Sequence, residues 1–412
     1  MKEVLFSERN QLITYILIIF SAPFIMCKYY LQPLIGNISD SDFEVMGHAI
    51  KIVPLLFLIF LIFLIVISLK KINKFRLLSF TFILLVIYLG QSIADFYMGH
   101  SLYDIQNNWH YIAYAFFSYL MYRYLKSKKV APAKIILYTF ITAMIISSSD
   151  EAFQLQMTNR VFDLGDIGKD ILGSVIGLIM IFFIIENGKI IRNGNSIHHK
   201  PGHDGWHFRQ KKISDYFKNP LSLLFLELVF TIIFLSISSI LTEKPLRFNA
   251  VIITLIIYVL FFIVFHLSVY KSVRLILLGL VVIQLVSFAV FCRKDIVYNA
   301  KNIVIYKGIP IPYFDLMFFE NGTFRLVDKK SFFQYVDLHT IQKYANYVLL
   351  LGSGENGKGG NGLAKKEKMQ FIVNKETKNM IQVIILKNSE AVTLYNNLKK
   401  QNKKVTFILH HE

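Results

Sequence analysis

The amino-acid sequence predicts an α-helical polytopic membrane protein of about nine transmembrane helices, followed by a C-terminal soluble α/β domain. Three observations carry that prediction. Hydrophobic residues make up 54 % of the 412-residue chain, and 37 of them are Phe. A soluble chain of this size cannot bury so many, so lipid must solvate part of them. The apolar residues also fall in blocks, near 11–27, 52–69, 77–95, 109–122, 134–149, 170–185, 220–241, 249–270 and 275–292. Most approach the roughly 20 residues that a spanning helix needs. Residues 293–412 hold no such block.

Taken in order, the first block is followed by Cys27, Lys28 and Tyr29, not by a small-residue cleavage site, so it reads as a retained span. The fourth to sixth blocks are short or carry polar ends. The loops after the second, fourth and sixth blocks are basic, with Lys70, Lys71, Lys74 and Arg76, then Arg123, Lys126, Lys128, Lys129 and Lys134, then seven more Lys or Arg between 187 and 219. Alternating helices put all three on one side, which the positive-inside rule makes cytoplasmic. The N-terminus is then cytoplasmic, and nine spans put the C-terminal domain outside the cell, although Arg293 and Lys294 stand where the rule favours the cytoplasm.

The net charge of +18 is spread over loops and a lysine-rich domain, which argues against a nucleic-acid partner. The expected partner is the bilayer. Two cysteines, Cys27 and Cys292, exclude a disulfide framework and a cysteine metal site.

Four regions follow: a six-helix membrane domain (1–186), a basic cytoplasmic connector (187–219), three further helices (220–292) and the α/β domain (293–412). The connector holds His198, His199, His203, Asp204 and His207, but Pro201, Gly202 and Gly205 break any helix that would align them. It reads as a solvated loop, and no metal or cofactor is expected. Spans seven to nine carry few internal polar groups, chiefly Glu227, expected to face another helix, and His266, expected to be packed and hydrogen-bonded.

A polar constellation stands out in the first six helices. His110 begins the fourth span, with Tyr114 one turn on. Asp150, Glu151 and Gln154 end the fifth. Arg160, Asp163, Asp166 and Asp170 lead into the sixth. Alternating helices bring these ends to one membrane face. Helical spacing puts Asp150 and Gln154 on one side, and aligns Asp166, Asp170, Gly173 and Gly177 in a stripe whose glycines admit a close neighbouring helix. Gln91 and Asp95, at the same end of the third span, are candidates to extend the cluster. Ionisable groups at membrane depth are costly and mark functional sites; solvated boundary charges are the bland alternative.

The segment from Asp150 to Gly177 reads Asp-Glu-x-x-Gln, an Arg, then Asp-x-x-x-Asp-x-x-Gly-x-x-x-Gly, and His110-x-x-x-Tyr114 precedes it. Residues 50–186 thereby resemble the VanZ-like family, that of the teicoplanin-resistance protein. The sequence departs from the family pattern twice: Gln106 and Asn107 stand where Asp-Lys is frequent, and Asp170 stands at the family asparagine. The resemblance implies a bacterial plasma-membrane protein of the cell envelope, associated with low-level glycopeptide resistance. The site would then bind or act on a lipid-linked or anionic envelope ligand. Glu151 or Asp150 would be a base, His110 an acid/base partner and Arg160 an anion clamp. Structural packing is the third reading.

In the C-terminal region, 302–327 alternates as strands do, with a tight turn at Asn321-Gly322. A helix near 337–345, a strand at 347–351, a Gly-rich stretch at 352–362, a strand at 383–386, a helix at 390–401 capped by Asn388 or Ser389, and a strand at 405–409 complete a small α/β sheet. Gly352, Gly354 and Gly357 spell G-x-G-x-x-G, but more glycines follow instead of a helix, so no dinucleotide site is expected. Residues Leu349 to Gly354, Val383 to Ile385, Glu390-Ala391, Tyr395 to Leu398 and Val405 to Phe407 resemble the small α/β domain of a mitochondrial complex I assembly factor and its prokaryotic relatives, over about 302–409. That resemblance implies an interaction module with a protein partner, and makes assembly or scaffolding the alternative function.

Overall fold

A computed structural model describes residues 7–25, 34, 37–38, 41–45, 48–52, 55, 73–94, 105–156, 162–190, 208–241, 246–268, 270–291, 295–300, 303–312, 314–327, 345, 347–355, 369–374 and 377–410. The long helices are α1 (Glu8–Ile25), α2 (Lys74–Ile93), α3 (Ile105–Ser127), α4 (Pro132–Gln154), α5 (Leu164–Ile179), α6 (Pro220–Ile240), α7 (Arg247–Leu267) and α8 (Lys271–Phe291). Among the described residues six helices are long and apolar enough to cross a membrane: α2, α4, α5 with its extension to Ile185, α6, α7 and α8. They occupy six of the nine predicted blocks. Helices α1 and α3 occupy two more but are not among those six. Apart from Ile52 and Leu55, the 52–69 block lies outside the described residues, as do both cysteines and the connector histidines.

The chain forms two compact units. The first holds α1 to α5, α6 as far as Ser236, and Thr254–His266 of α7. Local chemistry sets its helix starts. Asn73 caps α2 by accepting from the Arg76 N–H at 2.8 Å, and Pro132 opens α4, where a missing N–H costs nothing. Asp163 caps α5 by accepting from the Gly165 N–H at 2.7 Å. Helix α5 is the axis of this unit: from Leu164 to Ile179 every residue but Asp166 is buried. It runs on as a π-helical turn, Met180–Ile185.

The α3–α5 contact is the most extensive among the described helices, and the glycine stripe permits it. A Cβ on Gly173 would stand 2.8 Å from Tyr111 Cα, and one on Gly177 would stand 2.6 Å from the Ala115 carbonyl oxygen. Both distances are below any normal carbon contact, so only glycine admits α3 here. Deeper along the seam, the Ser118 hydroxyl donates to the Ser174 carbonyl at 3.0 Å. A short hairpin, β1 (Asp42–Val45) with β2 (His48–Lys51), lies in the segment after α1 and was not foreseen.

The second unit holds Ile237–Ile253, α8 and the strands from β3 onward. Helix α8 has no buried residue, and its bare apolar surface is of the kind that a bilayer solvates. An antiparallel sheet of β3 (Ile296–Ala300), β4 (Ile303–Tyr306) and β5 (Ile309–Pro312) follows. Then come β6 (Asp315–Phe318), β7 (Phe324–Val327), β8 (Val348–Gly352), β9 (Met369–Val373), β10 (Met380–Leu386), α9 (Asn388–Lys400) and β11 (Val405–Leu409). Six of these strands form one sheet in the order β7-β6-β11-β8-β10-β9, with β8 parallel to both neighbours.

The expected turn joins β6 to β7, where the Asn321 side chain accepts from the Thr323 N–H at 2.9 Å. The sheet is covered on both faces, as parallel strands require. Leu349, Leu351, Val383 and Ile408 pack on one side, and Phe318, Phe407 and Tyr395 of α9 on the other. The expected 337–345 helix lies outside the described residues except for Ala345.

The cap expectation for α9 is corrected. Lys387 is the capping residue, without a side-chain bond, and Asn388 is engaged elsewhere. Its carboxamide accepts from the Gly354 N–H at 2.9 Å and donates to the His410 carbonyl at 2.6 Å. A Cβ on Gly352 would stand 2.6 Å from that carboxamide oxygen. The described part of the Gly-rich stretch therefore serves packing around Asn388.

Candidate functional site

The site is built at one end of the first unit from three helix ends. His110 sits in the first turns of α3; Ser147, Asp150, Glu151 and Gln154 sit in the last turns of α4; Asp166, Lys169 and Asp170 sit in the first turns of α5. The α3–α5 approach permitted by Gly173 carries His110 to the acids of α5.

His110 Nδ1 lies 2.8 Å from Asp170 Oδ1, and Nε2 lies 3.8 Å from Asp166 Oδ1. The other Asp170 oxygen accepts from the Ser147 hydroxyl at 2.7 Å. The Tyr114 ring, one turn from His110, brings its hydroxyl beside Ser147 and Asp170. Asp170 is buried, whereas His110 keeps a quarter of its side chain exposed, so the pair faces outward through the imidazole. A neutral ring that donates through Nδ1–H to Asp170 leaves Nε2 as an acceptor. A protonated ring donates toward both carboxylates.

Glu151 is buried and fully engaged. One oxygen accepts from the Asp163 N–H at 2.8 Å, and the other from Gln154 Nε2 at 3.3 Å. Glu151 thus pins the start of α5 while Asp163 caps it. Gln154 also donates to Asp150 at 3.0 Å, as their four-residue spacing predicts. The carboxylate that meets His110 is Asp170, not Glu151 or Asp150.

Arg160 and Asp95 lie outside the described residues. Gln91 donates to the Asn108 side chain, two residues before His110, which ties α2 to the same end of the unit. Three participants escaped the sequence reading. Lys169 is buried and pairs with Asp166 at 3.0 Å. Ser147 opens a Ser147-Ser148-Ser149 run inside an otherwise apolar helix, a polar signal left unread. Asn108 was hidden among polar residues taken to precede the span.

The opposite end is basic. Lys126 pairs with Glu186 at 2.6 Å, and Tyr122 donates to the same carboxylate. Arg76 donates to the Ile184 carbonyl at 2.9 Å, and Asn73 to Asn187 at 2.9 Å. Burial raises the Glu186 carboxyl, but the bonds from Lys126 and Tyr122 outweigh it and hold the group below the usual range. Among the described residues no set of three His, Cys, Asp or Glu side chains could hold a metal ion. His266 is packed as expected, with Nδ1 3.3 Å from the Tyr216 hydroxyl.

No protein-family model, curated protein or solved structure matches this chain.

Proposed function

We propose that this chain is a VanZ-like integral membrane protein of the bacterial cell envelope. Its polar cluster binds, and exchanges a proton with, the head of a lipid or envelope precursor, and through it contributes to teicoplanin resistance. One observation carries the reading: the part-exposed His110 is held at 2.8 Å by the buried Asp170, whose second oxygen is held by Ser147. An imidazole oriented in this way offers its other nitrogen to a ligand. Arg160 supplies positive charge for an anionic head in this reading, and Glu151 keeps the two acid-bearing helix ends in register. The N-terminus and the Lys126–Glu186 end lie at the cytoplasmic face in this reading, and the His110 end at the outer face.

The test is expression of the full chain in a teicoplanin-sensitive bacterium, beside His110→Ala and Asp170→Asn, with membrane abundance measured in parallel. The wild type should raise the inhibitory concentration, and both variants should lose most of that rise at equal abundance. Variants that protect as well as the wild type overturn the reading.

A second reading has its own observation. Strand β9 is an edge of the six-stranded sheet, and Phe371 and Val373 on it are exposed. Among the described residues no strand pairs with the outer side of β9, and an unpaired apolar edge is a template for strand addition by a partner. In this alternative the chain is a membrane-anchored assembly or scaffolding protein. Deletion of 296–412 separates the two: protection that survives the deletion belongs to the helices.

A further inference from the structure

Glu227 stands in the second turn of α6, and 4 % of its surface is exposed. Neither carboxylate oxygen has a hydrogen-bond partner among the described residues. Buried acids are ordinarily paired, because an unpaired charge in an apolar medium is strongly disfavoured. The packing around Glu227 supplies an apolar space instead of a partner. The residue lines a cavity of about 300 Å³ within the first unit.

About half of the other wall residues are aromatic, Phe140, Tyr216, Phe217, Phe230, Tyr258 and Phe262, and the rest are Leu and Ile. Several of the aromatic rings meet nearly at right angles. Phe230 and Tyr258 are 5.2 Å apart at 87°, Phe140 and Phe230 are 5.9 Å apart at 81°, and Tyr216 and Phe262 are 5.2 Å apart at 69°. Aromatic faces attract a cation whose hydration is weak. Aliphatic walls alone would accept any apolar body. The combination of aromatic faces with one unpartnered acid selects for positive charge. The volume sits at the lower limit of ligand pockets, roughly 300–1,000 Å³. It takes a small molecule or the head of a lipid, not a whole lipid.

We infer that this cavity is a binding site for an alkylated ammonium cation, with Glu227 as its counter-ion and the aromatic rings as its cage. The site is independent of the His110 cluster and uses none of its residues. Two sources offer this chemistry, a free quaternary amine and the choline head of a phospholipid.

The experiment uses the full-length protein in nanodiscs of phosphatidylglycerol, titrated with radiolabelled choline and, for comparison, with 3,3-dimethylbutan-1-ol, a neutral molecule of the same shape. Choline should bind saturably and raise the unfolding temperature. The neutral isostere should act at least about tenfold more weakly, as loss of a charge-assisted contact predicts. E227Q should weaken choline binding by a similar factor and leave the isostere unchanged. Equal action of choline and isostere on the wild type overturns the inference, and needs no variant to fold. Unaltered choline binding by a folded E227Q overturns it too. Repeating the titration in phosphatidylcholine nanodiscs identifies the source: competition by the bilayer assigns the site to a lipid head, and unchanged choline affinity assigns it to a free cation.

Discussion

Single side chains decide how the helix ends meet. Gly177 has the Ala115 backbone against it, so a side chain there must push α3 away. Gly177→Val should destabilise the protein by roughly 1–3 kcal/mol, the usual cost of overpacking, read as a lower unfolding temperature in nanodiscs. Glu151 makes a sharper case. Its tie to the Asp163 N–H is one a carboxamide oxygen can also make. Glu151→Gln keeps that tie but turns an NH2 toward the Gln154 donor, and should cost about 1 kcal/mol, while Glu151→Ala also leaves a buried N–H unpaired and costs about 1–3 kcal/mol. If both variants lose stability equally, the carboxylate charge matters beyond its hydrogen bonds.

These roles show where residue-level reading of the sequence stops. The Asp-Glu-x-x-Gln spacing correctly put Asp150 and Gln154 on one face, because a helix repeats every 3.6 residues. Spacing within one helix says nothing of which acid a histidine on another helix will meet. That choice fell to Asp170, and it depends on the depth to which Gly173 lets α3 sink.

At the scale of elements, two ties hold a helix or strand end to its neighbours. Asn388 joins the start of α9 to the loop after β8 and to the residue after β11, through two hydrogen bonds. Asn388→Ala would strand both backbone groups. A loss of about 2 kcal/mol is expected, with faster hydrogen exchange confined to the ends of β8 and β11 and the start of α9. Sequence propensity favoured a capping role for this residue, since Asn is a common helix cap. The close approach at Gly352 overrode it.

The other tie is Glu186, past the end of α5, with Lys126 at the end of α3. A carboxyl whose folded pKa is depressed stabilises the fold above its unfolded value, and that contribution fades as pH falls through the lower folded value. Stability should therefore decline on acidification below about pH 4.3, the ordinary glutamate value, and Glu186→Gln should flatten that decline. Lys126 is more than half exposed, so water and salt weaken the effect.

At the scale of the molecule, the apolar blocks become helices that differ sharply in burial. Helix α5 is enclosed and α8 is bare, yet both have span-like composition. A bilayer solvates a bare apolar helix as well as protein does, so the difference fits a chain set in lipid. The orientation proposed above is checked by labelling. With the native cysteines replaced, Gln156→Cys at the His110 end should react with a membrane-impermeant thiol reagent from outside intact cells. Lys189→Cys at the basic end should react only after the membrane is opened. Both reacting from the same side would invert or dismantle the arrangement.

The sequence by itself determined which stretches are apolar helices, where β6 turns into β7, and which helix ends carry acids. These follow from local composition and from the repeats of helix and strand. It could not determine that Asp170 takes His110, that Lys169 and Ser147 join them, or that Glu227 lines an aromatic cavity. Each of those depends on the distance between helices far apart in the chain, and that distance is set by side-chain volume at the contact, glycine above all.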